Sequence, residues 1–141
     1  MSVIAVVGAQ WGDEGKGRIV EFIAPKAALI AQYAGGYNPG QSFVADGERF
    51  VLHVVPSGAL RAGKNCLLAQ GMALDPRLLI DELTILEEHH TLAGDLSIDQ
   101  RAQVVLPHHI ELDRLRDEVE GTSGSERRGI GPAYYDAVAR R

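Results

Sequence analysis

Cysteine is nearly absent: Cys66 stands alone among 141 residues, so no disulfide can close within the chain. With no signal-like N-terminus either, this is the composition expected of a cytoplasmic protein. No apolar run reaches the roughly 18 residues that a membrane-spanning helix requires, so no membrane association of that kind is expected. Basic residues are outnumbered 14 to 19, which leaves a net charge of −5. A chain without a basic excess lacks the field that gathers nucleic acid or an anionic membrane surface. A local cationic site for a single nucleotide is still compatible with that balance. Internal repeats and low-complexity tracts are missing as well.

What is present describes one ordinary α/β domain, residues 1–141, with 45% hydrophobic and 23% charged residues. A chain of this size buries roughly 70% of the surface its unfolded form exposes. The apolar, β-branched run Val3-Ile4-Ala5-Val6-Val7 predicts a buried first strand. A helix is expected from near Lys16, with Ile19, Val20, Phe22 and Ile23 on one face. Ala28 to Tyr33 forms a second apolar run. Ser42–Ala45 and Phe50–Val55 flank Asp46-Gly47, the signature of a hairpin. Asn65–Ala69 predicts another strand. Asp75-Pro76 predicts an N-cap followed by a helix to about Glu88, striped by Leu79, Leu83 and Leu86. "DLSID" and "QVVLP" read as short strands, and a helix follows from about Pro107 to Glu120. Strands alternating with helices imply a mainly parallel sheet with a phosphate-binding loop after the first strand and a hairpin insertion.

Eleven of the sixteen glycines gather in three loops, 8–17, 35–40 and 121–131. The first contains "GAQWGDEGKGR", residues 8–18, which has the glycines and lysine of a P-loop but departs from G-x-x-x-x-G-K-[ST]. Glycine is missing where Gln10 stands, and the metal-binding hydroxyl is missing where Gly17 stands. A glycine turn feeding a helix N-terminus is nonetheless an anion site, because unpaired N–H groups and the helix dipole both favour negative charge. Gly12, Gly15 and Gly17 admit a phosphate close to the backbone, and Lys16 reaches its oxygens as a point charge. Asp13 is the carboxylate available to hold Mg²⁺ in place of the hydroxyl, and the same group suits a general base. The plainer alternative is a glycine-rich turn with an exposed acidic and basic tip.

"QWGDEGKG" (10–17) resembles the signature of the adenylosuccinate synthetase family. "GGYNPGQS" (35–42), "LHVVPSG" (52–58), "HHIELD" (108–113) and "RGIGPAYYDAVARR" (128–141) extend that resemblance in the family's order. Because the family's chains are much longer, the resemblance covers their N-terminal portion only. The closing "DAVARR" fits this, being helix-like with nothing after it to pack against. The resemblance implies a ligase of purine (AMP) biosynthesis. It condenses IMP with L-aspartate, using GTP and Mg²⁺, through a 6-phosphoryl-IMP intermediate. It implies catalytic roles at Asp13 and Gln41, and GTP contacts at Gly12, Asp13, Glu14, Gly15, Lys16, Gly17, Arg18, Gly40, Gln41 and Ser42. IMP contacts are implied at Asp13, Glu14, Gly15, Lys16, Asn38, Pro39, Gly40, Gln41 and Arg140, and metal contacts at Asp13 and Gly40. Arg140 matches an arginine that reaches a partner's IMP site, which implies a homodimer.

Three departures from the family pattern bear on chemistry. The family's general-acid histidine is here Gln41, whose amide donates a hydrogen bond but carries no titrating proton near neutrality. A positioned acid is worth roughly 10²–10⁴ in rate. Pro39, in place of alanine, fixes its own φ and restricts Asn38. In the third loop the family's Gly-Thr-Thr aligns either with Gly124-Ser125-Glu126 or, given a three-residue insertion, with Gly121-Thr122-Ser123. The first register sets a carboxylate beside phosphate, a repulsion on the order of 1–4 kcal/mol at about 4 Å. These departures leave a second reading open, a catalytically degenerate nucleotide-binding module or inactive fragment.

Other polar residues have plain readings. His89-His90 and His108-His109 lack a metal-ligand pattern and read as solvated or capping histidines. His53, in an apolar strand, reads as a satisfied buried side chain. Trp11 reads as a packing anchor of its loop, and Arg127-Arg128 and Arg140-Arg141 as solvated charge, with the anion role that the resemblance implies as the alternative for Arg140.

Overall fold

The computed structural model describes residues 2–10, 14–37, 40–45, 47–88, 94–120 and 127–139. Among these, the order of elements is α1 (Lys16–Ile23), β1 (Leu29–Gly35), β2 (Gln41–Ala45), β3 (Glu48–Leu52), β4 (Asn65–Leu74), α2 (Pro76–Glu88), β5 (Asp95–Ile98), β6 (Gln103–Val104), α3 (Pro107–Glu120) and α4 (Ile130–Ala139). The main sheet is parallel, in the order β1-β4-β5, and β6 pairs in parallel with the far end of β4. β2 and β3 form a separate antiparallel hairpin whose register runs from Ala45 opposite Glu48 to Gln41 opposite Leu52. Gly47, at φ 83°, supplies the left-handed residue of its turn. The expected α/β class, parallel sheet and hairpin insertion are therefore all present.

Local chemistry explains the helix boundaries. At α2, Asp75 Oδ1 accepts the Arg77 N–H at 2.9 Å while its carbonyl starts the helix at Leu79, so Pro76 sits where an N–H is not needed. At α3, His109 Nδ1 accepts the Leu106 N–H at 3.0 Å, a histidine acting as a helix-start cap. The core gathers on β4, where Cys66, Leu68, Met72 and Leu74 are buried against Val54, Val55, Leu79, Leu86 and Ala133. Burial pushes the Cys66 thiol up, away from the thiolate form that reacts. Among the described residues no helix is long and apolar enough to cross a membrane.

Two expectations about the N-terminal segment are corrected. Residues 3–7 are not a strand, and Val3, Ile4 and Val7 are 93%, 72% and 68% exposed. β-propensity creates a strand only where a neighbouring strand completes the ladder, and the ladders described here run through β4. The phosphate-loop segment therefore precedes α1 without a strand before it. The apolar face of α1 is likewise not buried as a unit. Val20 packs against the core, whereas Ile19 and Phe22 are exposed.

The stripe of α2 carries a carboxylate that periodicity alone did not flag. Glu82 is buried at 3% exposure. It accepts the His53 N–H at 2.6 Å, the Val54 N–H at 3.0 Å and the Val55 N–H at 2.9 Å. His53 Nδ1 lies 3.4 Å from the same carboxylate, so His53 is satisfied as expected, though half-buried. This one side chain pins the segment that leaves the hairpin onto α2. Glu82→Ala strands three amide hydrogens without an acceptor and should cost about 3 kcal/mol or more, read as a fall in the urea midpoint at unchanged slope. Glu82→Gln, which keeps one carbonyl acceptor, should cost less. A midpoint unmoved by Glu82→Ala would contradict the anchoring role.

Candidate functional site

The first loop closes on the N-terminus of α1. Gly15 takes the cap position at φ 76° and ψ 32°, a left-handed conformation that suits glycine, and among the described residues no side chain caps the helix there. Glu14 folds back over Gly8. Its Oε1 accepts the Gln10 N–H at 2.9 Å, and its other oxygen pairs with the Lys16 ammonium. A side chain at Gly8 would sit 2.6 Å from Lys16 Nζ and 2.7 Å from both Glu14 oxygens. A backbone N–H and an ammonium thus hold two oxygens of one anionic group at the mouth of the helix. The Glu14 carboxylate stands where an oxyanion would be gripped. The pair is 27% and 38% exposed, so screening by water keeps its contribution to a fraction of a kcal/mol up to about 1. Arg18, in the first turn, lines an open hollow with Glu21, Phe22, Pro25 and Arg61.

The second loop lies at the mouth of the hairpin. Gly40 backs onto β3, where a Cβ would meet Val51 Cγ1 at 2.9 Å and His53 Nε2 at 3.2 Å. Gln41 pairs through its backbone opposite Leu52, and Ser42 Oγ accepts from Arg49 at 3.1 Å. Glu82 therefore supports this loop through His53. Glu14, Gly15, Lys16, Gly17 and Arg18 belong to the α1 end, and Gly40, Gln41 and Ser42 to the hairpin. Gly12, Asp13, Asn38, Pro39 and Arg140 lie outside the described residues, as do Trp11, His89, His90, Arg141 and the loop 121–126.

The structure also brings together residues to which the motifs assigned no role, and it corrects the reading of Arg128 as solvated charge, since that side chain is partly buried against Tyr37. Tyr37, 5% exposed, donates its hydroxyl proton to the Arg128 carbonyl. Arg128 Nη1 in turn donates to the Tyr37 carbonyl at 2.9 Å, and its guanidinium lies 5.6 Å from the centre of the phenol ring. The 127–129 segment is itself fastened to α3. Asp113 accepts the Gly129 N–H at 2.8 Å, and Asp117 pairs with Arg127 at 3.2 Å. Gly129 has φ 74°, and a Cβ there would lie 2.6 Å from the Ile110 nitrogen, so no other residue fits without movement. Tyr134, on α4, sets its hydroxyl within 3.0 Å of the Gly35 carbonyl and 2.6 Å of the Gly71 carbonyl. The sequence signal for Tyr37 was only its position, a large aromatic inside a glycine-rich loop where a small residue would make a looser turn.

His108, His109 and Asp136 bring three potential metal-ligand atoms within 4.8 Å. The Leu106 N–H occupies the His109 Nδ1 lone pair, so the ring proton resides on Nε2, 3.3 Å from Asp136. That nitrogen donates a hydrogen bond rather than ligating. The cluster ties α3 to α4, in agreement with the solvated-or-capping reading of these histidines.

Burial, followed by the negative charge of Asp75, pushes the Tyr37 phenol up to about 12, while Arg128 pulls the other way. The folded state therefore favours the neutral phenol. That stabilisation is complete below pH 10, the ordinary value, and is lost as pH rises through about 12. Of four tyrosines, one should ionise near 12 in an absorbance titration, and Tyr37→Phe should remove that step. Superimposable curves for the two proteins would contradict the buried phenol.

A family model described as adenylosuccinate synthetase matches residues 5–141. The adenylosuccinate synthetases of Heliobacterium modesticaldum and Bacillus subtilis are 48% and 44% identical to this chain over 142 aligned residues, covering 99% of it. The chain spans about one third, 33%, of the length of these curated relatives. Among solved structures, the fully ligated adenylosuccinate synthetase of Plasmodium falciparum superposes with a TM-score of 0.78 at 27% identity, over 94% of this chain and 32% of that one. A cyanophage S-2L succinoaminodeoxyadenylate synthetase, bound to dGMP and to dATP as an energy donor, superposes at 0.66 and 28% identity, over 94% and 37%. The chain belongs to the adenylosuccinate synthetase family.

Proposed function

We propose that residues 1–141 form one domain that carries the nucleotide-phosphate and IMP-binding part of an adenylosuccinate synthetase. The activity served is the GTP-dependent condensation of IMP with L-aspartate to adenylosuccinate through 6-phosphoryl-IMP, in the cytoplasm. The observation that carries this reading is the oxyanion grip at α1, where the Gln10 N–H and Lys16 hold the Glu14 carboxylate beside a helix N-terminus with no side-chain cap among the described residues. The structural relative that holds a purine monophosphate with a triphosphate energy donor supports the same division of labour.

In this reading the loop of Gly12, Asp13, Glu14, Gly15, Lys16, Gly17 and Arg18 takes GTP phosphates, together with Gly40, Gln41 and Ser42 of the hairpin mouth. The donor set fits magnesium, a hard cation that takes oxygen ligands: the Asp13 carboxylate and the Gly40 carbonyl would hold it. When bound, the ion neutralises charge on the phosphate oxygens. Asp13 accepts the N1 proton of IMP, and the Gln41 amide donates a hydrogen bond to the purine oxygen or a phosphoryl oxygen. Asn38 and Pro39 line the IMP side, and Arg140 reaches the partner's IMP site in a homodimer. Gln41 also favours a second reading, a module that binds nucleotide without turnover, because an amide cannot supply the proton of the family's histidine.

Calorimetric titration with GTP should show magnesium-dependent binding that Lys16→Ala weakens at least tenfold, about 1.4 kcal/mol. Asp13→Ala should remove the magnesium dependence. Flat titrations at millimolar GTP would end the phosphate-loop reading. Product formation from IMP, aspartate and Mg·GTP separates ligase from binding module. Nucleotide binding without product, unrestored by Gln41→His, selects the module.

A further inference from the structure

The hairpin ladder stops one step short of Gly40 and His53. Its two-residue turn closes on Ala45 and Glu48, a hydrogen-bonded pair, and such pairs recur at every second position, at Phe43–Phe50 and Gln41–Leu52. The next step, Gly40 opposite His53, is a non-hydrogen-bonded position. There Cα atoms approach to about 4.5 Å, and the N–H and C=O of each residue point away from the partner. On the His53 side, Glu82 takes the outward N–H at 2.6 Å, and the amides of Val54 and Val55 go to the same carboxylate. The hairpin therefore ends where Glu82 takes over its second strand. On the Gly40 side, the outward groups lie along the edge of β2 remote from β3. The His53 ring stands between the two. Its Nδ1 lies 3.4 Å from Glu82 Oε1, and its other edge faces Gly40, where a Cβ would meet Nε2 at 3.2 Å and Cδ2 at 3.6 Å. Val51 Cγ1, at 2.9 Å from that same point, completes the wall. Gly40 cannot retreat toward β3 without displacing a ring that is held by a carboxylate 3% exposed.

We propose that His53, oriented by Glu82, is a positioning residue that holds the Gly40 backbone out toward the nucleoside triphosphate. This rests on the functional reading above, in which Gly40 contacts GTP. The imidazole acts through its shape and touches Gly40 rather than the ligand. No proton transfer is asked of it, so its role differs from that of the family histidine which Gln41 replaces. Asparagine at position 53 keeps a nitrogen at the place of Nδ1, beside Glu82, but lacks the edge that faces Gly40. Glutamine extends its amide to the place of Nε2 and keeps that edge. The two substitutions therefore separate attachment to Glu82 from support of Gly40.

The test is calorimetry of the whole chain with Mg·GTP, with a urea midpoint measured for each variant. His53→Asn should weaken Mg·GTP about tenfold, and His53→Gln should stay within about threefold of the parent. A role in stability alone moves affinity only through the folded fraction, which hardly changes while the midpoint stays well above zero urea. Unchanged affinity in His53→Asn, or equal losses in the two variants, would overturn the positioning role. If either variant does not fold, proton NMR of the parent decides. Mg·GTP should then shift the His53 Hδ2 resonance, and an unmoved resonance overturns the proposal. Parent protein that binds Mg·GTP and is weakened by Lys16→Ala but not by His53→Asn overturns this proposal and spares the phosphate-loop reading. A flat titration of the parent overturns both.

Discussion

Among the described residues every ladder of the parallel sheet passes through β4, and the placement of the other elements follows from that constraint. Its ten residues pair with β1 on one side, and with β5 and then β6 elsewhere along its length. Parallel neighbours cannot be joined by a tight turn, so each connection must travel back across the sheet and carry an element with it. The crossover from β1 to β4 carries the hairpin, and the crossover from β4 to β5 carries α2. The same geometry sends the carboxyl ends of β1 and β4 to one edge, where α/β sheets place their ligands. Tyr134 touches backbone carbonyls of both strands at that edge, and the Asp75 charge is felt by Tyr37 there.

Buried polar groups and exposed charge do different work in this chain. Glu82, Asp113 and His109 are buried, and their hydrogen-bonding capacity goes to backbone groups or to another helix. Removing them would leave amides unpaired in a low-dielectric interior, which makes them anchors for the segments that carry the proposed site. Glu82 holds the exit of the hairpin, Asp113 the turn before α4, and His109 the start of α3. The Glu14–Lys16 pair is the opposite case. It is partly exposed and screened by water, so the ion pair itself contributes little to stability.

Much of the scaffold was legible residue by residue. Asp75-Pro76 marked the start of α2 because a capping carboxylate followed by proline satisfies a helix N-terminus and little else. The dipeptide Asp46-Gly47 marked the hairpin because its turn requires positive φ. The bounds of α3 and the brief strands β5 and β6 followed from local pattern and punctuation. Three features were not legible. The run of residues 3–7 has strong β-propensity but no ladder among the described residues, and propensity does not supply a neighbour. The apolar residues of α1 lie on one helical face, yet Ile19 and Phe22 remain in water. Glu82 sits at helical spacing between Leu79 and Leu86, where a carboxylate on a buried stripe is a visible oddity, but the amides it serves lie 27 to 29 residues earlier.

The sequence by itself determined the family, the alternation of strands and helices, and the chemical character of the first loop. These depend on side chains a few positions apart, so linear spacing encodes them. The tertiary structure alone decided which segments share an edge. Tyr37 and Arg128 meet across 91 residues, and a carboxylate on α2 reaches the amides after the hairpin, because a parallel sheet folds distant stretches onto one core. Contacts of that kind depend on the whole set of crossovers, and no local pattern records them.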